Sequence, residues 1–109
     1  MEITFGEGSY IENKNSYNGL IVVDDFKIYL KEKGESLADT YIPLDKIERV
    51  RLTLSGVEIQ VKLSASRIYC AFLKGKRANL NKLVTYLVKK LSLKKRFLKK
   101  EWKGEISFR

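Results

Sequence analysis

Histidine is absent from the 109 residues, and with it go the commonest general base and the commonest metal ligand. Cysteine occurs once, at Cys70, which excludes an internal disulfide and any thiolate zinc cluster. A lone thiol agrees with a reducing compartment. Between Ile68 and Phe72, Cys70 reads as a small hydrophobe on the inward face of a strand. Proline also occurs once, at Pro43. No apolar run approaches the ~20 residues of a membrane span, and Leu20 to Val23 looks like a strand. The start, Met1-Glu2-Ile3-Thr4, carries neither a basic region nor an apolar segment, so no signal peptide is expected. The expected location is cytoplasmic, with peripheral attachment to the inner face of the membrane as a variant.

What is present describes one folded domain. A hydrophobic fraction of 44% and a charged fraction of 32% belong to a globular chain with a single modest core. The net charge of +9 is unevenly placed. Residues 1–73 hold 9 Lys and Arg against 11 Asp and Glu, whereas residues 74–109 hold 13 against 2. The whole positive excess therefore lies in the last third, which suggests an anionic partner for it; solvation of a surface helix is the plainer explanation.

Hydrophobic spacing organises the rest. Leu80, Leu83, Val84, Leu87, Val88 and Leu91 recur every three or four residues and predict one helix over about 77–92 with a single apolar stripe. Everything before it reads as strand. The pattern predicts strands near 9–12, 17–24, 26–31, 37–42, 47–54, 57–63 and 67–72, with turns at Asn13-Lys14, Asp24-Asp25, Gly34 and Ser55-Gly56. Val50, Leu52 and Leu54 are expected inward, with Arg49, Arg51 and Thr53 outward. Ile68, Cys70 and Phe72 are expected inward, with Arg67, Tyr69 and Ala71 outward. The fold class is α+β, mainly β: a curled antiparallel sheet covered by its C-terminal helix.

Two stretches carry a resemblance. Gly19-Leu20-Ile21-Val22-Val23-Asp24-Asp25-Phe26-Lys27-Ile28-Tyr29-Leu30 resembles the first hairpin of prokaryotic pleckstrin-homology-like and GRAM-type domains. Tyr41-Ile42-Pro43-Leu44-Asp45-Lys46-Ile47-Glu48-Arg49-Val50 is similar to the segment in which a strand ends at Ile-Pro-Leu and an Ile-x-x-Val opens the second sheet. With the closing helix the resemblance covers roughly residues 9–92. It implies a bent seven-stranded barrel capped by one helix, used as a binding platform for lipids or proteins. The chain departs from the family in two respects. Tyr86 and Leu87 stand where a buried tryptophan is usual in eukaryotic members, the sole tryptophan being Trp102. Asp24 and Asp25 occupy the hairpin loop where phosphoinositide binders are lysine-rich, so that lipid site does not transfer.

No constellation for catalysis emerges. Gly6-Glu7-Gly8 lacks the third glycine and following helix of a phosphate-binding loop. Asp24 and Asp25 read as solvated turn formers rather than cation ligands, and Glu35 and Asp39 flank a loop with no partner pattern. Neither an enzyme nor a cofactor or small-molecule substrate is expected.

Attention falls on residues 93–109, a basic extension beyond a domain of residues 1–92. The candidate partner- or anion-binding residues are Lys94, Lys95, Arg96, Phe97, Lys99, Lys100, Trp102 and Lys103. If the helix runs on, Leu98 and Trp102 prolong its stripe while Leu93 and Phe97 fall opposite; otherwise the helix breaks near Ser92. Residues 105–109 alternate like one more strand. The leading expectation is a module contacting a protein partner or a second copy of itself, with aromatic and arginine anchors. The alternative is docking on an anionic membrane surface, where each lysine contributes about 1 kcal/mol. A third expectation is nucleic acid held through phosphates and base stacking.

Overall fold

Antiparallel pairing runs through nearly the whole chain in a computed structural model, which describes residues 1–95 and 101–103. The strands are β1 (Ile3–Glu12), β2 (Asn15–Val23), β3 (Lys27–Glu32), β4 (Glu35–Ser36), β5 (Ile42–Pro43), β6 (Ile47–Leu52), β7 (Val57–Ser64) and β8 (Arg67–Gly75). Helix α1 (Arg77–Lys90) follows, then β9 (Lys94–Lys95) and β10 (Glu101–Lys103). The sheet order is β4-β3-β2-β1-β8-β7-β6-β10-β9, with β5 paired to β3. The architecture is α+β and mainly β, and among the described residues the sheet is open, ending at β4 and β9. Both edges are two-residue strands rich in charge, which suits them poorly to adding a foreign strand.

Local chemistry explains the turns. Lys33 and Gly34 both have positive φ (53° and 82°), the backbone that a tight two-residue hairpin requires. At Asp24 one carboxylate oxygen accepts the amides of Phe26 and Lys27, each at 2.8 Å, and the other accepts Lys27 Nζ at 2.8 Å. The Thr53 hydroxyl accepts from the amide of Gly56 at 3.1 Å and closes the β6–β7 turn in the same manner.

The close approach of β1 to its neighbours has a sequence origin as well. Gly8 on β1 stands opposite Gly19 of β2 on one side and Gly75 of β8 on the other. A Cβ on Gly8 would lie 2.2 Å from the Lys74 carbonyl oxygen, so only glycine allows the two neighbouring strands to approach there. Helix α1 crosses β1 and β8 beside this row and buries Leu80, Leu83, Val84 and Leu87. Each such side chain contributes about 1.5–3 kcal/mol relative to exposure. Tyr86 adds a tilted ring contact with Phe5 at 5.8 Å between centroids. Thr40, the buried polar residue of the core, donates to the Leu37 carbonyl at 2.7 Å and accepts the Leu30 amide at 2.9 Å.

Several expectations need correction. The first strand starts at Ile3 rather than near residue 9. The strand expected over 37–42 is mostly a 3-10 turn (Ala38–Thr40), and only Ile42 and Pro43 pair. A second 3-10 turn (Leu44–Lys46) then carries the chain to β6. The expected faces of β8 are reversed. Tyr69, Ala71 and Leu73 stand opposite the inward Val61, Ile59 and Val57, so Ile68, Cys70 and Phe72 point outward. Cys70 is consequently exposed rather than buried. Leu54, expected inward, sits at the tip of the β6–β7 turn and is 99% exposed.

The helix ends with a defined stop. Ser92 adopts the left-handed region (φ 53°), its amide donates to the Lys89 carbonyl at 3.4 Å, and the Leu93 amide donates to the Val88 carbonyl at 3.0 Å. These are the two bonds of a Schellman termination, with serine where glycine is usual and Leu93 tucked into the core as its apolar contact. Lys89 and Lys90 occupy the last turn, where positive charge complements the helix dipole.

Candidate functional site

Of the two ways open to the basic extension, the described residues take the break at Ser92. Beyond it the chain makes a hairpin on the sheet: Glu101, Trp102 and Lys103 stand opposite Arg51, Val50 and Arg49 of β6, and Trp102 and Lys103 stand opposite Lys95 and Lys94. Four of the eight candidate residues, Lys94, Lys95, Trp102 and Lys103, are thereby placed on adjoining strands. Arg96, Phe97, Lys99 and Lys100 lie outside the described residues.

The hairpin borders a groove that the sequence did not announce. Leu52 at the end of β6 faces Asn81, Val84, Thr85, Val88 and Lys89 of α1 across a cavity of about 390 Å³. The walls are apolar, and Lys89 is the single charged side chain among those six. Leu52 follows Arg51, the residue opposite Glu101, so β10 comes within one residue of the groove at its Glu101 end, while Lys103 and Lys94 lie level with Arg49, three residues from Leu52. The Arg77 guanidinium donates to the Thr53 carbonyl and pins the start of α1 to the β6–β7 turn, which holds the groove wall in place. Arg51 also pairs with Glu58 at 3.1 Å on the outer face, a half-exposed contact worth little on its own.

A second groove, also of about 390 Å³, lies at the C-terminal end of α1. Phe26, Tyr41, Leu44 and Leu91 line it together with the charged Asp25, Asp45 and Lys90. Phe26 is 74% exposed and Tyr41 49%. The sequence signal was available: Phe26 follows a turn dipeptide directly and stands one residue ahead of β3, outside the strand pairing.

Among the described residues the shifted titrations have local causes. Burial opposes charge on the Asp24 carboxyl, but Lys27 and two backbone amides outweigh it and hold the group below the usual carboxylate range. Partial burial pushes the Cys70 thiol up, with Glu58 adding to the effect, which disfavours the nucleophilic thiolate. Tyr29 is pushed up to about 12, by desolvation first and then by its hydrogen bond to Glu2. Tyr10 is raised further, by burial and by its hydrogen bond to Glu12. These tyrosines are structural donors to carboxylates. Among the described residues no group of three or more His, Cys, Asp or Glu side chains converges on a point that would suit a metal ion. Among them, too, no helix is long and apolar enough to cross a membrane. Compared with protein-family models, curated proteins and solved structures, the chain matches none.

Proposed function

We propose that the chain is a non-catalytic binding module on a PH-like frame, which docks a protein partner or a second copy of itself against α1 and the basic hairpin. The frame is supported by two antiparallel halves, β4-β3-β2-β1 and β8-β7-β6, joined through β1 and β8 and covered by the helix that follows them. One observation carries the functional reading: an apolar groove (Leu52, Val84, Val88) lies beside strands bearing Lys94, Lys95 and Lys103, with Lys89 inside it. An apolar recess with a charged border is the anatomy of a protein contact, in which a buried anchor supplies affinity and the border supplies orientation. The fitting partner offers an apolar side chain flanked by carboxylates.

Val88→Asp, alone and combined with Lys89→Glu, tests this reading on the full chain. Partner recovered by the wild-type protein from its native source, or self-association measured by light scattering, is expected to fall at least about tenfold in the double variant, equivalent to ~1.4 kcal/mol. Unchanged recovery and unchanged association in both variants would refute the groove as the contact. A second reading, attachment to anionic membrane surfaces, is favoured by the charge of residues 74–109, 13 basic against 2 acidic. Cosedimentation with anionic but not neutral vesicles, insensitive to Val88→Asp, would select it.

A further inference from the structure

The groove at the C-terminal end of α1 combines exposed aromatic rings with carboxylates. Phe26 and Tyr41 are exposed, Leu44 and Leu91 line the recess with them, and Asp25 and Asp45 line it too. Main-chain bonds fix the arrangement. Asp24 accepts the Phe26 amide, and the Leu44 amide donates to the Phe26 carbonyl at 2.9 Å. The second of these ties the β2–β3 turn to the 3-10 turn that carries Asp45. Neither exposed ring is needed to hold the turns, and exposed apolar side chains grouped in a recess mark a contact site.

Charge selects the occupant. The faces of aromatic rings and the carboxylates both favour a cation, and the apolar neighbours favour one on an apolar stem. The adjoining hairpin already shows this chemistry: Lys27 Nζ lies 2.8 Å from Asp24 and 4.9 Å from the centre of the Tyr29 ring. Asp25 itself receives an ammonium, the Met1 amino group at 3.2 Å, in a pair open to water on both sides and therefore weak. Lys90 also lines the groove, and two carboxylates and two rings stand against it. Arginine meets these demands better than lysine. Its planar guanidinium stacks on a ring face while its edge donates to carboxylates, whereas an ammonium is compact and strongly hydrated.

We propose that this groove takes an arginine side chain from a basic segment of a partner protein, with the guanidinium against Phe26 and Tyr41 and paired with Asp25 and Asp45. The site is independent of the Leu52–Val88 groove, which calls for carboxylates; the chain then offers two contacts of opposite charge preference.

Titration of the isotope-labelled full chain with a blocked peptide, acetyl-Ala-Arg-Ala-amide, tests it by nuclear magnetic resonance. Amide shifts are expected to cluster at residues 24–27, 41–45 and 90–91. The arginine peptide is expected to bind at least about tenfold more tightly than its citrulline counterpart, which keeps the shape and loses the charge, and several-fold more tightly than its lysine counterpart. Phe26→Ala and Asp45→Asn are each expected to weaken it about fivefold. Should Phe26→Ala disturb the fold, as circular dichroism would reveal, Tyr41→Ala replaces it. Equal binding of the citrulline or lysine peptide, shifts gathered elsewhere, or affinities unchanged in both variants would overturn the proposal. Self-association of the wild type that Phe26→Ala abolishes, measured by light scattering, would make a second copy the occupant and overturn it as well.

Discussion

Replacing Ser92 by glycine reads out, by the sign of one number, whether the helix stops where the geometry says it does. Ser92 holds φ at 53°, a region that costs an L-residue roughly 1–2 kcal/mol and glycine almost nothing. Glycine also frees the unfolded chain, which returns about 0.4–1 kcal/mol of that gain. The net expectation for Ser92→Gly is stabilisation by ~0.5–1 kcal/mol, or a rise in Tm of about 2–5 °C for a chain of 109 residues. Ser92 is exposed, and its amide bond to the Lys89 carbonyl needs no side chain, so no lost contact offsets the gain. A helix running on from Lys90 through Trp102 predicts the reverse. Glycine would then sit in mid-helix and cost about 0.5–1 kcal/mol, whereas Ser92→Ala would gain ~0.5 kcal/mol. Thermal melts of the three proteins followed by far-ultraviolet circular dichroism decide the matter. A lower Tm for Ser92→Gly together with a higher one for Ser92→Ala would refute the Schellman stop and the hairpin that depends on it.

Three further outcomes follow from particular contacts. Gly8→Ala drives a Cβ to 2.2 Å from the Lys74 carbonyl oxygen and 2.6 Å from Ile21 Cδ1, and is expected to cost ~3 kcal/mol in denaturant unfolding. Gly34→Ala, with open space around it but φ at 82°, serves as the comparison and is expected to lose only about 1 kcal/mol; equal losses would contradict the tight crossing at Gly8. Because the folded Asp24 carboxyl is held below its unfolded value, its stabilising effect is present above the unfolded value and is lost as pH falls through the folded one. Asp24→Asn should therefore flatten the acid limb of the stability curve, and an unchanged limb would show that Lys27 does not hold that carboxylate in solution. Native protein should yield one thiol to a water-soluble maleimide without denaturant, with a rate still climbing above about pH 9; protection until unfolding would return Cys70 to the interior.

How far the fold can be read from the residues depends on whether a segment has one apolar face or two. Helix α1 was legible because Leu80, Leu83, Val84 and Leu87 repeat at helical spacing against Lys82, Thr85 and Lys89, and all four are buried. Strand β7 was legible for the same reason, since Val57, Ile59 and Val61 alternate with Glu58, Gln60 and Lys62. Strand β8 offers no such contrast. Ile68, Tyr69, Cys70, Ala71, Phe72 and Leu73 are apolar on both sides, so its phase is set by register with β7, where the pairing shifts between Lys62 and Ser64. A one-residue change of register exchanges the two faces of a strand, which is why Cys70 was misplaced. Leu54 was misplaced by a different force: the Thr53–Gly56 turn takes the chain out of the strand before the alternation ends.

The candidate surfaces were less legible than the core because they are made by pairing between distant residues, and nothing local records that pairing. Lys94 and Lys95 were singled out by charge alone, but what gives them a setting is the edge of β6, which lies more than forty residues earlier in the chain. A two-residue and a three-residue strand have no period to detect; β10 holds because β6 presents a row of amides and carbonyls that it satisfies, and β9 pairs in turn on β10. Leu52 shows the same dependence. As part of β6 it looks like one more inward residue, and it becomes a groove wall only because α1 returns alongside it. The concentration of positive charge after residue 73 is thus a statement about which elements carry it. The recess beside it comes from topology, and an acidic partner with an apolar anchor is the reading that uses both.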